Sequence, residues 1–336
     1  MKKITALLLA LMMLAGVLAG CGKPQDAGKA GKLKVVTTIF PEYDWVRAIL
    51  GDKAENAEVT MLLDNGVDLH SYQPTADDIV KISDCDLFVY VGGESDGWVE
   101  SVLKNAANKK MKVINLLEVL GDSVKEEETV EGMQEEEHDH EDADEHEDAE
   151  EHEHEEEAEY DEHVWLSLRN AETLCEAISD ALQQINPDNK DTYAANTAAY
   201  AERLAALDAD YRAAVEAATY QTVLFGDRFP FRYLADDYGL SYYAAFVGCS
   251  AETEASFETI TFLAGKMDEL NLPCVLTIEG AHHRIAQTIV ENTTAKNQEV
   301  LTMDSMQSTT SKDVANGATY LSVMEKNLSV LKEALG

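Results

Sequence analysis

An α/β fold of two lobes, each a mostly parallel sheet flanked by helices, joined by one long rigid interlobe helix, is what this 336-residue sequence predicts. Short β-branched and aliphatic runs alternate with helical patterns in two separate series, the signature of parallel sheets covered by helices. Between the series, Pro187 to Ala218 is rich in Ala, Glu, Leu and Tyr and lacks Gly. It predicts one helix of about 30 residues, or about 45 Å at 1.5 Å per residue. About 300 residues remain after the leader, enough for two lobes with cores of their own.

The first lobe spans residues 33–185. Leu33–Ile39, Val59–Leu63, Asp86–Val91 and Lys112–Leu116 read as strands. A helix runs through Trp45 to Leu50, a second capped by Thr75 reaches about Ser83, a third spans Trp98–Asn108, and a fourth spans Ser167–Gln184. Residues 186–218 form the connecting helix, with Pro187 suited to a first turn. In the second lobe, residues 219–336, strands are expected at Thr222–Phe225, Ser241–Phe246, Cys274–Ile278 and Glu299–Met303. A last helix from about Lys312 to Leu335 closes the chain.

Residues 1–20 read as a signal peptide: Lys2 and Lys3, then an apolar run from Ile4 to Val17 that is too short for a stable membrane span. Leu18-Ala19-Gly20-Cys21 resembles a bacterial lipobox, so Cys21 is the expected lipidation site, and residues 21–32 are the lipidated cysteine and its tether. Four other cysteines, Cys85, Cys175, Cys249 and Cys274, form no CxxC pair, which argues against a thiolate zinc cluster. Cys249 and Cys274 could form a disulfide in an oxidising compartment, or all four could be free thiols.

The formal charge of −38 is concentrated: residues 126–162 hold 23 of the 64 acids and no Lys or Arg. The remainder is still acidic, which argues against nucleic acid as a partner. Five of the nine histidines, His138, His140, His146, His152 and His154, are threaded through this insert. It is expected to be disordered and to gather borderline divalent metals weakly, since ordering a chain around an ion costs about 1–2 kcal/mol per residue. An inert acidic linker or a pH sensor are the alternatives.

Four ligand-capable side chains stand at predicted strand–loop or loop–helix junctions: His70, His163, Asp227 and Asp304. Carboxyl ends of strands are where ligands gather in open α/β sheets, so an ion bound by two residues from each lobe would lie in the cleft. Taken singly, each residue has a plainer reading as a surface imidazole or a helix cap.

The order of lipobox, His70-Ser-Tyr-Gln-Pro74, His163-Val-Trp-Leu-Ser167, long helix and second α/β lobe resembles the zinc- and manganese-binding solute-binding lipoproteins of ABC importers, over Leu33 to Leu335. Zinc-type members often carry a His- and acid-rich insert before the second ligand, as here. The resemblance implies that His70 and His163 are metal ligands. Its third ligand, a His in a phrase His-x-x-Phe-x-Tyr-Leu, is matched to Asp227, a carboxylate as in manganese-type members, and its fourth falls on Asp304. Glu279, at another strand end, is an alternative ligand or a supporting residue, and His282 and His283 are assigned to the next helix's first turn.

Imidazole ligation and the order of metal affinities favour zinc over manganese as the transported ion. The expected function is non-enzymatic: capture of zinc on the outer face of the cytoplasmic membrane by a lipid-anchored monomer, and delivery to an ABC permease. Affinity is expected to fall as pH drops through about 6.5, where imidazoles protonate. A zinc hydrolase is the rival class, but no His-Glu-x-x-His motif is present and only Glu279 stands as a base. A surface adhesin or a metal buffer without a transporter is a third.

Overall fold

The computed structural model describes residues 32–134, 159–250, 254–280 and 283–336. The signal peptide, Cys21, the five insert histidines and His282 lie outside the described residues. Among the described residues, no helix is long and apolar enough to cross a membrane.

In the first lobe, β1 (Leu33–Thr37), β2 (Ala57–Met61), β3 (Leu87–Tyr90) and β4 (Lys112–Asn115) form one sheet in the order β2-β1-β3-β4. In the second, β5 (Thr222–Arg228), β6 (Ser241–Phe246), β7 (Cys274–Thr277) and β8 (Glu299–Thr302) form another in the order β6-β5-β7-β8. Pairing is parallel between β1 and β3, β3 and β4, β5 and β6, β5 and β7, and β7 and β8. Each sheet therefore reverses its winding once, beside β1 in one lobe and β5 in the other, and loops at the carboxyl ends diverge there to leave a crevice.

The helices cover these sheets: α1 (Phe40–Leu50), α2 (Ala76–Asp84), α3 (Val99–Lys104), α4 (Leu116–Leu120) and α5 (Leu168–Ile185) belong to the first lobe. Helix α2 starts at a capping box in which Thr75 and Asp78 satisfy each other's backbone N–H groups. The second lobe carries α7 (Arg232–Tyr238), α8 (Phe257–Leu270), α9 (Arg284–Asn292), α10 (Ser311–Ala315) and α11 (Tyr320–Leu335). Its core includes Leu224, Phe246, Leu263, Met267, Val275 and Ile289, all buried.

Between the lobes runs α6 (Lys190–Ala217), 28 residues and about 42 Å long. Its buried residues are Tyr193, Thr197, Tyr200, Leu204, Leu207, Tyr211 and Val215, spaced by three and four so that they form one stripe. Asn196 donates from Nδ2 to the Ile49 carbonyl in the first lobe, and Tyr211 donates from its hydroxyl to the Met324 carbonyl in the second. The helix thus grips both lobes. Pro187 starts a separate short turn, Pro187–Asn189, rather than the helix itself.

Two expectations from the sequence need correction. The terminal helix is broken: α10 ends at Ala315, Gly317 takes φ of 99°, and Thr319 caps α11. The insert is also ordered at both ends. Glu126 pairs antiparallel with Tyr160, Glu127 N–H donates to the Glu159 carbonyl at 2.8 Å, and Asp161 N–H donates to the Lys125 carbonyl at 2.9 Å. Tyr233 clasps this stem from the second lobe, accepting from Lys125 N–H and donating to the Asp161 carbonyl. Backbone pairing, and the hydrogen bonds that Asp161 and Glu162 accept from His163 N–H and Ser95 N–H, offset the charge repulsion that predicted disorder there. The cysteines Cys85, Cys175, Cys249 and Cys274 are free, so no disulfide links Cys249 to Cys274.

Candidate metal centre

His70 sits in a short 3-10 turn, Leu69–Ser71, that follows β2, and Asp68 caps the turn by accepting from His70 N–H. His163 precedes a second such turn, Val164–Leu166, just after the insert. Ninety-three positions apart in sequence, the two imidazoles face each other with Nε2 atoms 3.2 Å apart.

The atoms behind each ring decide what that pair can do. His163 Nδ1 lies 2.9 Å from Asp161 Oδ1, a carboxylate oxygen placed to accept from it. The same oxygen accepts from His163 backbone N–H at 2.8 Å, which fixes the ring's starting point. His70 Nδ1 lies 2.9 Å from Ser95 Oγ and 3.5 Å from Glu162 Oε2. Glu162 is itself set by Ser95 N–H, which donates to Oε1 at 2.9 Å. A side chain at Gly93, where φ is 75°, would collide with this carboxylate. With both Nδ1 atoms beside oxygen, the two Nε2 atoms face each other. Such carboxylate–imidazole pairs orient metal-binding histidines.

Burial holds His70 down to a pKa of about 3, assisted by the neighbouring His163. It therefore stays neutral, and ready to ligate, far below the value of about 6.5 expected of an ordinary imidazole. The sign follows from proton counting. The unfolded chain binds a proton at His70 between about 6.5 and 3 that the folded, metal-free protein refuses. Stability of the metal-free protein is accordingly lost as pH falls through that window, by on the order of a few kcal/mol from this residue. Urea unfolding at pH 7 and 4.5 is expected to show a smaller acid loss in His70→Gln than in the unchanged chain. An equal loss in both would contradict a neutral, buried His70.

The third donor near the two imidazoles is one that sequence reasoning missed. Ligand atoms of His70, His163 and Cys249 all lie within 4.8 Å of one another, and they form the one such group among the described residues. Cys249 follows β6 in the segment Val247-Gly248-Cys249, and its N–H donates to Glu127 Oε1 at 2.9 Å. Burial, and then the charge of Glu127, push its thiol well above the ordinary value when no metal is present. A cleft of about 250 Å³ opens beside the group, lined by His70, Cys249, Glu94, Glu127, Glu159 and Glu162. Four carboxylates at the entrance of one cleft attract cations from solution.

Asp227 and Asp304, by contrast, are not part of the group. β5 runs on to Arg228, so Asp227 lies within the strand, where its carboxylate accepts from Arg228 N–H at 3.0 Å and Ile278 N–H at 3.4 Å. Asp304 follows β8, and its Oδ1 accepts from Met306 N–H at 2.9 Å, closing its own turn. Glu279 accepts from Ser305 N–H at 2.6 Å, Ser305 Oγ at 2.8 Å and Gln307 N–H at 3.2 Å, so it clamps the loop after β8. Burial raises the carboxyl pKa of all three, with the Asp304 charge adding to the effect at Glu279. His283 is the cap residue before α9 and not part of its first turn, where the sequence had placed it.

The phrase matched to Asp227 also shifts by one residue. Phe231, Tyr233 and Leu234 fix its register and put its first position on Arg228. That guanidinium binds Asp68 across the cleft through Nη2 and donates from Nη1 to the Ser250 carbonyl at 3.3 Å. Burial is the largest influence on the Asp68 carboxyl and would raise it, but the charge and hydrogen bond of Arg228, with those of His70, together lower the pKa. The signal that could have found Cys249 was present: applying the strand-end rule to every strand points to the loop after β6 as readily as to the others.

Residues 35–334 match the family described as ZnuA, zinc-uptake complex component A periplasmic. The chain is 34% identical over 333 residues to the zinc-binding lipoprotein AdcA of Streptococcus pneumoniae, a match covering 99% of this chain and 61% of AdcA. It thus spans about six-tenths of the length of that relative. It is 31% identical over 323 residues to the high-affinity zinc uptake system protein ZnuA of Bacillus subtilis, covering 95% of this chain and 94% of that one. The crystal structure of the Zn(II)-bound ZnuA-like domain of Streptococcus pneumoniae AdcA matches with a TM-score of 0.68 at 31% identity, over 91% of this chain and 99% of the domain. The metal-dependent lipoprotein YcdH of Bacillus subtilis matches with a TM-score of 0.70 at 26% identity, over 90% of this chain and 99% of that one. On two lobes, a bracing helix, a paired-histidine cleft and this match along nearly its whole length, the chain belongs to the ZnuA family.

Proposed function

We propose that this chain captures zinc outside the cytoplasmic membrane and hands it to an ABC-type importer, binding and releasing the ion without a chemical step. The observation that carries this reading is the facing pair of Nε2 atoms. Two nitrogens, each 2.0–2.1 Å from a tetrahedral zinc ion, stand about 3.3–3.4 Å apart. His70 and His163 hold theirs at 3.2 Å with outward nitrogens tied to oxygen. The pair is set for an ion of that size before the ion arrives. The hydrolase alternative loses its base, because Glu279 is committed to the loop after β8, and the family is one of uptake components.

Zinc is favoured over manganese by imidazole ligation and by relatives named for zinc. His70 and His163 are the proposed ligands from the sequence motifs. Lipid anchoring at Cys21 and action as a monomer belong to the same proposal; the anchor rests on Leu18-Ala19-Gly20-Cys21 and on AdcA being named a lipoprotein.

The proposal makes the insert histidines His138, His140, His146, His152 and His154 an accessory collector. Its support is the stem formed by residues 125–127 and 159–161, since Glu127 and Glu159 line the same cleft as His70. Deleting residues 135–158 is expected to leave one tight zinc equivalent and to remove weaker ones. Calorimetric titration of the shortened and full chains measures this directly. Loss of the tight equivalent on deletion would move the function from cleft to insert.

A further inference from the structure

We propose that Cys249 and Gln307 complete the zinc site, Cys249 as a thiolate ligand and Gln307 through its Oε1 atom. The proposal rests on the cleft being the zinc site and specifies the donor set there. Relatives of the zinc type were expected to supply a further imidazole after β5, but that position is Arg228, a residue that cannot ligate a cation.

Three contacts deliver the Cys249 loop to the two histidines. Arg228 Nη1 donates to the Ser250 carbonyl, and its Nη2 is tied to Asp68 two residues before His70. Glu127 accepts from Cys249 N–H. Gly248 lies flat against His163: a Cβ there would stand 3.1 Å from the ring's Nδ1 and Cε1 and 3.0 Å from the Phe229 carbonyl oxygen. A tetrahedral zinc with one thiolate and one imidazole holds S and N about 3.6 Å apart. The donor atoms of His70, His163 and Cys249 are already within 4.8 Å of one another, so a shift of about an ångström closes the site.

Gln307 supplies the independent observation. It is 2% exposed, and its Oε1 is buried without a hydrogen bond of normal geometry. Its side chain acts on His70 as an acceptor, so it stands beside the imidazole pair. The loop is held there by Glu279, whose carboxylate takes Ser305 N–H, Ser305 Oγ and Gln307 N–H. A cation held by His70 would take this oxygen as a further donor. When zinc binds, the Cys249 S–H bond breaks, a Zn–S bond forms and the proton passes to solvent. The resulting set of two imidazoles, one thiolate and one amide oxygen is softer than a carboxylate site, and it selects zinc against manganese.

Cobalt(II) substituted for zinc in the full chain tests the donor set. A thiolate-to-cobalt charge-transfer band in the near ultraviolet is expected at one equivalent, and Cys249→Ser should abolish it while weakening zinc binding at least 10-fold. In the unchanged chain, zinc should protect Cys249 from alkylation, mapped by mass spectrometry; this second measurement decides the matter if the Cys249→Ser protein does not fold. Stoichiometric binding that depends on His70 and His163 but gives no such band would overturn the thiolate while leaving the zinc cleft intact. A band that survives Cys249→Ser would overturn it too. Absence of any histidine-dependent binding would remove both the donor set and the function on which it rests.

Discussion

Replacing His163 by alanine is expected to weaken zinc binding by more than about 100-fold, beyond the 10–100-fold typical of losing a residue that only orients a ligand. The substitution removes one of the two opposed Nε2 atoms and leaves Asp161 facing an empty, buried space. His70 cannot compensate, because its ring is fixed from behind by Ser95 and Glu162 and its Nε2 has one place to point. Asp161→Asn provides the graded comparison. It keeps the ligand but weakens the acceptor beside Nδ1, so a loss within the 10–100-fold range is expected. Competition against a chelating dye reads both. Unchanged affinity in His163→Ala would remove the cleft from the mechanism.

Trp165→Ala is expected to be the most destabilising single change near the site, costing about 4 kcal/mol for the cavity. Trp165 is fully buried, its ring centroid is 5.3 Å from that of His163, and its Nε1 donates to the Ser305 carbonyl at 2.8 Å across the lobes. Its own carbonyl accepts from the Tyr320 hydroxyl at 2.7 Å, so the residue is held from both sides. A typical domain has only about 5–15 kcal/mol in hand, so this loss is a large fraction of the total. Trp165→Phe separates packing from hydrogen bonding: it keeps most of the volume, orphans the Ser305 carbonyl and should cost about 1–3 kcal/mol. Denaturant unfolding measures both variants. Equal, small shifts would mean that the interlobe bond carries no weight.

Much of the fold was legible because its signals are local. Runs such as Leu87-Phe-Val-Tyr90 have one reading as buried strands, and Thr75 and Ser167 cap helices where their side chains predict. Breaks were less legible. A single Gly317 in a long helical pattern is tolerated in many helices, and only the cap at Thr319 shows that the chain turns there. Two of the proposed donors, His70 and His163, could be read for the same reason, since they sit in short recognisable phrases. Cys249 carried only the general strand-end signal, and Gln307 none, because their relation to those histidines is made by loops after β6 and β8. The phrase matched to Asp227 starts one position later, at Arg228, and in a strand one position is enough to change what a side chain faces.

Helix α6 has a mechanical consequence. Between Lys190 and Ala217 there is no Gly or Pro, the residues at which helices kink, and hydrogen bonds fasten it to both lobes. A hinge needs a joint that absorbs torsion, and this connection has none. Opening the lobes as a pair of jaws would have to bend a continuous rod. If the chain loads and releases an ion as proposed, the movement would have to fall to the short strand-end loops that carry His70, Cys249 and Gln307, with the frame held still.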